Sequence, residues 1–461
     1  MKDDIAAIVR ESHRAIARRM RLNRAALADA PAQPSGCGEA KLLRLAESYG
    51  RQLHCLQKAY ASGRRDATAR AQKRILNDFS SRFIAVVRGT DHFEGYLPFS
   101  VIEDRANQLH LGKSFHETLV VRPGRSKPGK LRLVGSSGGR RRAQQLIIRD
   151  ILLATIGDSD CDRTVAGTGG EVRLFEDIKE AISDGYHHWV SLDIRDFFPS
   201  LKPGHLTGFP LSTWIIEELV FLSSGTPIKF VDPSYGVETS EHTILTGDDD
   251  DLPHGYPYTM DDIRSKFSMV RRGLIQGDVC APQIARTFLG RELRRSLGKW
   301  DVAYASHLDD MLIGARTHGE LKASLEALTH RLKCHPAGPL ELHDHQIRSI
   351  ADGTYFLGYR IDYNGGGQLH VRPDLTRFNR FRERLLARFK DSMAYERDEL
   401  VAVGLCYAQQ WFASQAAWTK SGESFDYVMA EVHDVINQFI RMEMAAGIGK
   451  WSQYDLTDAD Q

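Results

Sequence analysis

The sequence predicts an α+β fold in which a small antiparallel sheet packs on helices. One observation is that two apolar segments of strand length, 189–192 and 304–308, each end in acidic residues. A second observation is that apolar residues recur at helical spacing after residue 280 and again after residue 374. They are Ile284, Phe288, Leu289, Leu293 and Leu297 in the first stretch, and Phe378, Phe381, Leu385, Leu386 and Phe389 in the second.

The other elements follow from local patterns along the chain. Residues 1–30 are predicted as a helix that ends at the Pro- and Gly-containing segment 31–36, and a second helical region follows over 40–88. Within 118–134, apolar stretches on either side of Pro-Gly pairs predict two short strands around a turn. Further along, the patterns predict a helix at 143–152, a helix near 212–223, an irregular stretch over 224–259, a hairpin at 304–313, a helix at 318–333, a strand at 355–361 and helices beyond 374.

Length and composition indicate an ordinary globular protein. The 461 residues leave room for about two to four domains, and 42% apolar and 26% charged content are typical of soluble proteins. The sequence contains no run of about 18 apolar residues, so no transmembrane helix is expected. The N-terminal segment is charged, so it does not predict a secretory signal. The six cysteines are scattered without a CxxC pair, which favours a reducing cytosol over a disulfide framework.

The net charge of +1 hides three basic regions and one acidic run. The basic regions are Arg10, Arg14, Arg18, Arg19, Arg21 and Arg24; Lys127, Lys130, Arg132, Arg140, Arg141, Arg142 and Arg149; and Arg372, Arg377, Arg380, Arg382, Arg384, Arg388 and Lys390. The acidic run is Asp248–Asp251. Three basic regions around an acidic centre favour contacts along a nucleic-acid backbone. The alternative for each region is a solvated helix face.

Four ordered blocks resemble those of the reverse transcriptase family. They are Leu192-Asp193-Ile194-Arg195-Asp196-Phe197-Phe198 for the first catalytic block, Arg272-Gly273-Leu274-Ile275-Gln276-Gly277-Asp278 for the second, His307-Leu308-Asp309-Asp310 for the third, and Phe356-Leu357-Gly358-Tyr359 for the primer grip. The resemblance covers residues 110–365 and implies a right-hand polymerase. The implied regions are a helical N-terminal region at 1–95, fingers at 96–185, a palm at 186–365 with inserted helices and a loop at 224–260, and a helical thumb and C-terminal tail at 366–461.

The resemblance implies a two-metal site for nucleotidyl transfer. Asp193 and Asp309 would be the metal ligands, and Asp310 would complete the acidic pocket. Two Mg²⁺ ions, with Mn²⁺ as an alternative, are expected about 4 Å apart, so the three carboxylates must converge within roughly 10 Å. Carboxylate oxygens are the ligands that Mg²⁺ prefers. Asp196 is expected to be a surface or salt-bridge residue instead.

The resemblance also implies the substrate-binding residues. Phe198 would lie under the incoming sugar and exclude a 2′ hydroxyl, with core packing as its alternative role. Gln276 and Gly277 would approach the nucleotide and the template backbone, since glycine lets the chain pass close. Lys130 and Arg132 resemble the fingers residues that hold the triphosphate, with Lys127 competing for the place of Lys130.

Several residues depart from the family pattern. His307 replaces a tyrosine, Ile275 replaces a proline, Asp278 replaces a serine, and Gln346 stands where many relatives have a lysine, with Arg348, His343 and His345 nearby. That lysine is thought to protonate the leaving pyrophosphate, so its role is open here. A zinc site built from His330, Cys334, His335, His343 and His345 is a further alternative, although its spacing fits no regular zinc motif.

Among family members, the compact bacterial enzymes are the most similar. The sequence has no recognisable endonuclease or RNase H module and no Val-Thr-Gly thumb block, which favours defence-associated enzymes over group II and retron enzymes. The expectation is a cytoplasmic RNA-directed DNA polymerase that uses dNTPs and an RNA template or non-coding RNA, makes a DNA product, and contacts no membrane. Template-independent or protein-guided synthesis is one alternative. Another is a non-catalytic RNA-binding partner of a sister reverse transcriptase. The protein could also be a homo-oligomer.

Overall fold

The chain has a mixed α+β structure, which confirms the predicted fold class at that level. The computed structural model describes residues 2–26, 39–90, 97–110, 117–124, 131–156, 170–223, 225–363, 367–392, 397–419 and 425–445. Lys127 and Lys130 lie outside these residues, and so does the predicted tail after residue 445. The predicted domain boundaries and the right-hand arrangement stay predictions.

Helices account for most of the described residues. The α-helices are α1 (Lys2–Ala26), α2 (Glu39–Ala61), α3 (Arg65–Asn77), α4 (Phe79–Thr90), α5 (Phe99–Gln108), α6 (Gly139–Thr155), α7 (Gly170–Ser183), α8 (Phe197–Ser200), α9 (Thr213–Ile215), α10 (Glu241–Thr246), α11 (Met260–Arg272), α12 (Ala281–Leu297), α13 (His318–Lys333), α14 (Leu375–Asp391), α15 (Arg397–Ser414), α16 (Ala416–Thr419) and α17 (Phe425–Ala445). A π-turn, Ile216–Val220, continues α9, and short 3₁₀ turns occupy Pro203–Leu206, Asp249–Asp251 and Ile350–Asp352.

The described strands form three small sheets. The strands are β1 (Leu119–Pro123), β2 (Leu133–Ser136), β3 (His188–Asp193), β4 (Ile228–Asp232), β5 (Val237–Ser240), β6 (Val302–His307), β7 (Asp310–Ala315), β8 (Ile347–Ser349), β9 (Thr354–Phe356), β10 (Tyr359–Tyr363) and β11 (Leu369–Pro373). The sheet orders are β2-β1-β4-β5, β6-β7-β3-β8 and β11-β10-β9. β1 and β4 pair in parallel. The antiparallel pairs are β1–β2, β4–β5, β3–β8, β6–β7, β9–β10 and β10–β11.

The chain divides into two compact units. The first unit comprises 1–162, 193–298 and 326–343, and the second comprises 163–192, 299–325 and 344–461. The first unit contains the sheet of β1, β2, β4 and β5 together with the N-terminal helices. The second contains the other two sheets and α14–α17.

The core of the first unit's sheet comes from alternating apolar residues. Leu119 and Val121 of β1 face the same side as Phe230 of β4, and all three are buried. Phe267 of α11 packs on this cluster. The α11 helix begins at a capping box, in which Thr259 Oγ1 accepts the backbone N–H of Asp262 while the Asp262 carboxylate accepts the backbone N–H of Thr259.

The core of the second unit joins β3 to the C-terminal helices. Trp189 of β3 is buried, and a Cβ added to Gly314 of β7 would lie 2.7 Å from its indole ring. Glycine is therefore required at 314 because strand and ring are in contact there. Phe381 and Phe389 of α14 belong to the same cluster, so the predicted inward orientation of the apolar side of this helix is confirmed.

Two predicted segments differ from the structure. The stretch 224–259 was predicted to be irregular, and this is wrong, because β4, β5 and α10 lie within it and β4 pairs with β1. The predicted single strand at 355–361 is instead the hairpin β9–β10. In both cases a short turn interrupts the apolar pattern. None of the described helices is both long enough and apolar enough to cross a membrane.

Candidate active site

Asp193 is the last residue of β3, and the segment 341–343 holds its main chain. The Asp193 carbonyl accepts the backbone N–H of His343 at 2.9 Å, and Ile194 forms an antiparallel bridge with Leu342. The His343 Nε2 atom lies 3.9 Å from the Asp193 carboxylate. The Asp193 side chain is 44% exposed, so solvent or a ligand can reach it.

Asp309 and Asp310 lie at the tip of the hairpin β6–β7, as predicted. His307 pairs with Asp310, which leaves Leu308 and Asp309 as the turn, and Asp310 is the first residue of β7. Leu308 has a φ of 57°, a conformation that favours glycine. Asp309 is half-buried and Asp310 is exposed. Neither acidic segment buries its carboxylates, because each carboxylate follows or begins its strand where the apolar cover ends.

The three carboxylates are distributed over the two units. Asp193 belongs to the first unit, whereas Asp309 and Asp310 belong to the second. At the level of strands, β3 and β7 are neighbours in one sheet. The donor chemistry fits Mg²⁺, because partly exposed carboxylates supply the oxygen ligands that this ion prefers. Their convergence on one pair of ions stays a prediction.

Across the described residues, no group of three or more His, Cys, Asp or Glu side chains is placed to hold a metal ion. This finding covers Asp193, Asp309 and Asp310 as well as the histidines and the cysteine considered for zinc. Cys334 Sγ lies 3.7 Å from His330 Nδ1, both on α13 or directly after it. His335 instead stacks on His205 with ring centroids 4.5 Å apart.

The first and second blocks are bonded to each other within the first unit. The Leu274 N–H donates to the Phe198 carbonyl at 2.9 Å. A Cβ on Gly273 would lie 2.2 Å from the Pro199 carbonyl oxygen, which is a clash that only glycine avoids. Two segments of the chain therefore pass close to each other at this glycine. A backbone hydrogen bond and a close backbone contact therefore join the two blocks.

The second block also contacts β2. The Gly135 N–H donates to the Gln276 carbonyl at 2.7 Å. Gly277 has a φ of 101°, and a Cβ there would lie 2.2 Å from the Gly135 carbonyl oxygen. Only glycine fits both constraints. Gln276 remains half-buried, so its side chain borders the surface near this junction.

Arg132 lies immediately before β2 and is exposed. Its carbonyl accepts the Gly124 N–H at 2.7 Å, which closes the loop between β1 and β2. An exposed guanidinium on an anchored backbone suits phosphate binding. Lys130, the other predicted phosphate ligand, lies outside the described residues.

Phe197 and Phe198 are both buried aromatic residues. Their ring centroids are 5.7 Å apart in an edge-to-face arrangement, and Phe197 also contacts Phe288 of α12. Phe198 retains 6% exposure. Phe197 therefore packs in the core, and the sugar-excluding role of Phe198 stays a prediction.

Asp278, which stands in place of the usual serine, is the centre of a buried polar network. Its carboxylate accepts from Ser137 Oγ at 2.6 Å and from Gln145 Nε2 at 2.6 Å, and it lies 3.3 Å from Arg141 Nη2. The Gln145 side-chain oxygen in turn accepts the Val279 N–H. Asp278 therefore joins the second block to α6. The sequence contained a signal for this, since a charged residue inside an apolar block requires a buried partner.

Asp196 is a surface ion-pair residue, as predicted. Its carboxylate lies 3.5 Å from Lys266 Nζ of α11, and both side chains are partly exposed. Its φ of 45° is left-handed, a conformation that aspartate and asparagine tolerate better than most residues. Asp196 thus marks the turn from β3 into α8.

The primer-grip block forms a two-residue turn between β9 and β10. Leu357 and Gly358 both have positive φ, 51° and 75°, as the type I′ hairpin turn requires. Arg377 of α14 holds this turn, because its Nη2 donates to the Leu357 carbonyl at 2.5 Å and its guanidinium lies 4.1 Å from the centre of the Tyr359 ring. Burial raises the pKa of Tyr359 to about 12. The basic pattern of the sequence predicts Arg377 on a nucleic-acid surface and does not indicate this role at the turn.

Parts of the first and third basic regions are exposed. On α1, four exposed arginines follow one another at spacings of three and four residues, and on α14 three more do so at spacings of four. These residues are Arg10, Arg14, Arg18 and Arg21, and Arg380, Arg384 and Arg388. Arg388 also lies over the Tyr407 ring at 4.6 Å.

Other members of the basic regions pair internally, which corrects the expectation for them. Arg19 is buried and donates to the Thr90 carbonyl at 2.7 Å. Arg141 pairs with Asp278, and Arg149 lies 3.1 Å from the buried Asp150 carboxylate. Arg372 pairs with Asp362, and Arg382 with Glu431. Arg141 and Arg149 thus pair with buried carboxylates, which need charged partners.

A scan against protein-family models and a search of curated proteins each gave no match for this chain.

Proposed function

We propose that this protein is an RNA-directed DNA polymerase of the reverse transcriptase type, with a right-hand arrangement of fingers, palm and helical thumb. The observation that supports this most is the position of the blocks on the fold. The first block ends β3, the third forms the turn between β6 and β7, and β7 neighbours β3 in one sheet. The hydrogen bond between Leu274 and Phe198 joins the second block to the first.

Asp193, Asp309 and Asp310 are the residues that would hold two Mg²⁺ ions. When bound, the ions supply activation of the primer hydroxyl and stabilisation of the triphosphate charge. The chain's own side chains prepare the remaining interactions. Arg132 offers an exposed guanidinium to the phosphates, and Gly277 keeps the Gln276 peptide against β2 without a side chain in between.

The nucleic acid would bind along the exposed arginines of α14. Arg380, Arg384 and Arg388 are spaced to follow a phosphate backbone, while Phe381 and Phe389 fix the helix to its core. We propose an RNA template or non-coding RNA, dNTP substrates and a DNA product. A cytoplasmic role in antiviral defence is the part of the proposal that rests on family resemblance alone.

The decisive experiment measures labelled dNTP incorporation on an RNA template with an annealed DNA primer. The double variant Asp309→Ala/Asp310→Ala should abolish incorporation, because it removes two of the three proposed metal ligands. Asp196→Asn is the matched control, since asparagine also tolerates positive φ and only a partly exposed ion pair is lost. If the double variant incorporates dNTPs at the wild-type rate, the polymerase proposal fails.

Sequencing the product separates template-directed synthesis from the alternatives. A product complementary to the supplied RNA supports the proposal. Homopolymers or short repeats without a matching RNA would replace it with template-independent or protein-guided synthesis. Binding of RNA without any incorporation by wild-type protein would instead indicate a non-catalytic partner of another polymerase.

A further inference from the structure

A cavity of about 460 Å³ lies on the second unit, between β3, β8 and β9. Its lining residues are Ser191, Asp344, His345, Gln346, Arg348, Thr354 and Tyr355. Three of them, His345, Gln346 and Arg348, lie in the stretch considered above for protonation of the pyrophosphate, and none is among the residues proposed for metal, triphosphate or sugar binding. The volume lies within the range of small-ligand pockets, roughly 300–1,000 Å³.

An aromatic ring forms one wall of this cavity. Tyr355 is the middle residue of β9, and its neighbours Thr354 and Phe356 are buried while Tyr355 is 38% exposed. Alternation along the strand explains this, because successive side chains point to opposite faces. An exposed ring on a rigid strand is a surface on which a planar base can stack.

Two guanidinium groups lie near this ring and differ in their pairing. Arg360 lies 5.9 Å from the Tyr355 ring centroid and pairs with Asp362 at 2.7 Å. Arg348 lies 5.5 Å from the same centroid and donates to Gln346 Oε1 at 3.3 Å. Within the part of the chain that the structure describes, Arg348 forms no ion pair. Its charge and most of its five N–H groups are therefore available to an anion.

We propose that this cavity binds a nucleotide, whose base stacks on Tyr355 and whose phosphate is held by Arg348. Gln346 adds an amide donor and acceptor, and Ser191 adds a hydroxyl, both of which can meet base or sugar edges. An apolar ligand would leave these polar groups and the Arg348 charge without interaction, and a simple inorganic anion would leave the ring unused. The nucleotide is either free in solution or an unpaired residue of a nucleic-acid strand.

Base stacking on Tyr355 and phosphate binding by Arg348 can be tested separately on the full-length chain. Binding is measured by calorimetry with AMP and with adenosine, and by fluorescence anisotropy with a fluorescein-labelled oligo(dT). All measurements use the Asp309→Ala/Asp310→Ala background without divalent ions, so that the proposed catalytic site contributes little. Tyr355→Ala should weaken binding about tenfold for every probe that occupies the cavity, since a base stacked on an aromatic ring contributes that much. Tyr355→Phe should stay within about twofold, since it keeps the ring.

Arg348→Ala should weaken AMP binding about tenfold but leave adenosine binding unchanged, because adenosine has no phosphate. Tyr363→Ala is the matched control, since Tyr363 is a similarly exposed tyrosine at the end of β10 and does not line the cavity. If Tyr355→Ala weakens the binding of AMP, the ligand of the cavity is a free nucleotide. If Tyr355→Ala weakens the binding of oligo(dT) but not of AMP, the ligand is a nucleotide within a strand. Crosslinks from 5-iodouracil oligonucleotides should then map to Tyr355. If Tyr355→Ala changes no probe's affinity, or Tyr363→Ala changes it equally, the proposal is overturned.

Discussion

Asp278→Ala is the substitution whose effect on stability follows most directly from the structure. The Asp278 carboxylate is about as buried as a side chain can be, with 1% exposure, and Arg141 beside it has 3%. Removing the carboxylate leaves the Arg141 charge buried without its counter-ion and takes away the acceptor of Ser137 and Gln145. Breaking a buried pair in this way costs about 3–5 kcal/mol. The free energy of unfolding of the first unit should fall by that amount.

The assay is thermal unfolding followed by circular dichroism. For a unit of this size, roughly 2 °C of Tm are lost per kcal/mol, so Asp278→Ala should unfold about 6–10 °C lower than wild type. Asp278→Asn keeps the volume and one acceptor, so its loss should be smaller. The control is the double variant Asp278→Ala/Arg141→Met, in which no buried charge is left unpaired. It should be more stable than the sum of the two single losses predicts.

Additive losses in that cycle would contradict the reasoning, because they would mean that Asp278 and Arg141 do not stabilise each other. A Tm for Asp278→Ala within about 2 °C of wild type would also contradict it, since no buried charge could then have been left uncompensated. Either result would mean that Asp278 does not stabilise the fold and is a neutral replacement for serine.

Three further predictions concern single positions. Burial lowers the pKa of His205 to about 4, so below pH 6.5 the unfolded chain binds a proton that the native state excludes. The native state is therefore fully stable with respect to this group above pH 6.5 and loses about 3 kcal/mol as the pH falls towards 4. A plot of Tm against pH should be flatter for His205→Gln than for wild type. Gly273→Ala should lower both Tm and dNTP incorporation because of the contact with the Pro199 carbonyl, whereas Gly319→Ala, with no atom within 4 Å, should do neither. Leu308→Gly should leave Tm unchanged or raise it by relieving about 1 kcal/mol of backbone strain, while slower incorporation reports a loosened turn; a lower Tm would contradict the strain.

The sequence predicted the elements whose signals are local. The hairpin around Asp309 and the helices α12 and α14 follow from apolar spacing, and all three are present. The strand β4 was missed, because its pairing partner β1 lies more than a hundred residues earlier in the chain and a short strand gains most of its stability from that partner. Long-range pairing leaves no local pattern to read.

The candidate site shows the same division. The acidic residues could be identified from their blocks, because each follows or interrupts an apolar stretch. The role of Asp278 could not be identified, since its partners Arg141 and Gln145 come from α6 and Arg141 was interpreted as part of a nucleic-acid surface. In the sequence, an arginine that faces solvent cannot be distinguished from one that pairs with a buried carboxylate. Only the packing of α6 against the second block distinguishes the two.

Backbone strain adds a physical reason to treat the blocks as functional. In the part of the chain that the structure describes, the non-glycine residues with positive φ are Asp196, Leu308 and Leu357, and each lies at a turn of the first, third or primer-grip block. A left-handed leucine costs on the order of 1–2 kcal/mol and gains nothing locally, since it lacks the short polar side chain that eases this conformation for aspartate. Such a cost persists where the surrounding structure imposes the turn. Arg377 does so at Leu357, and the pairing of His307 with Asp310 does so at Leu308. The fold therefore fixes the shape of these turns before any ligand binds.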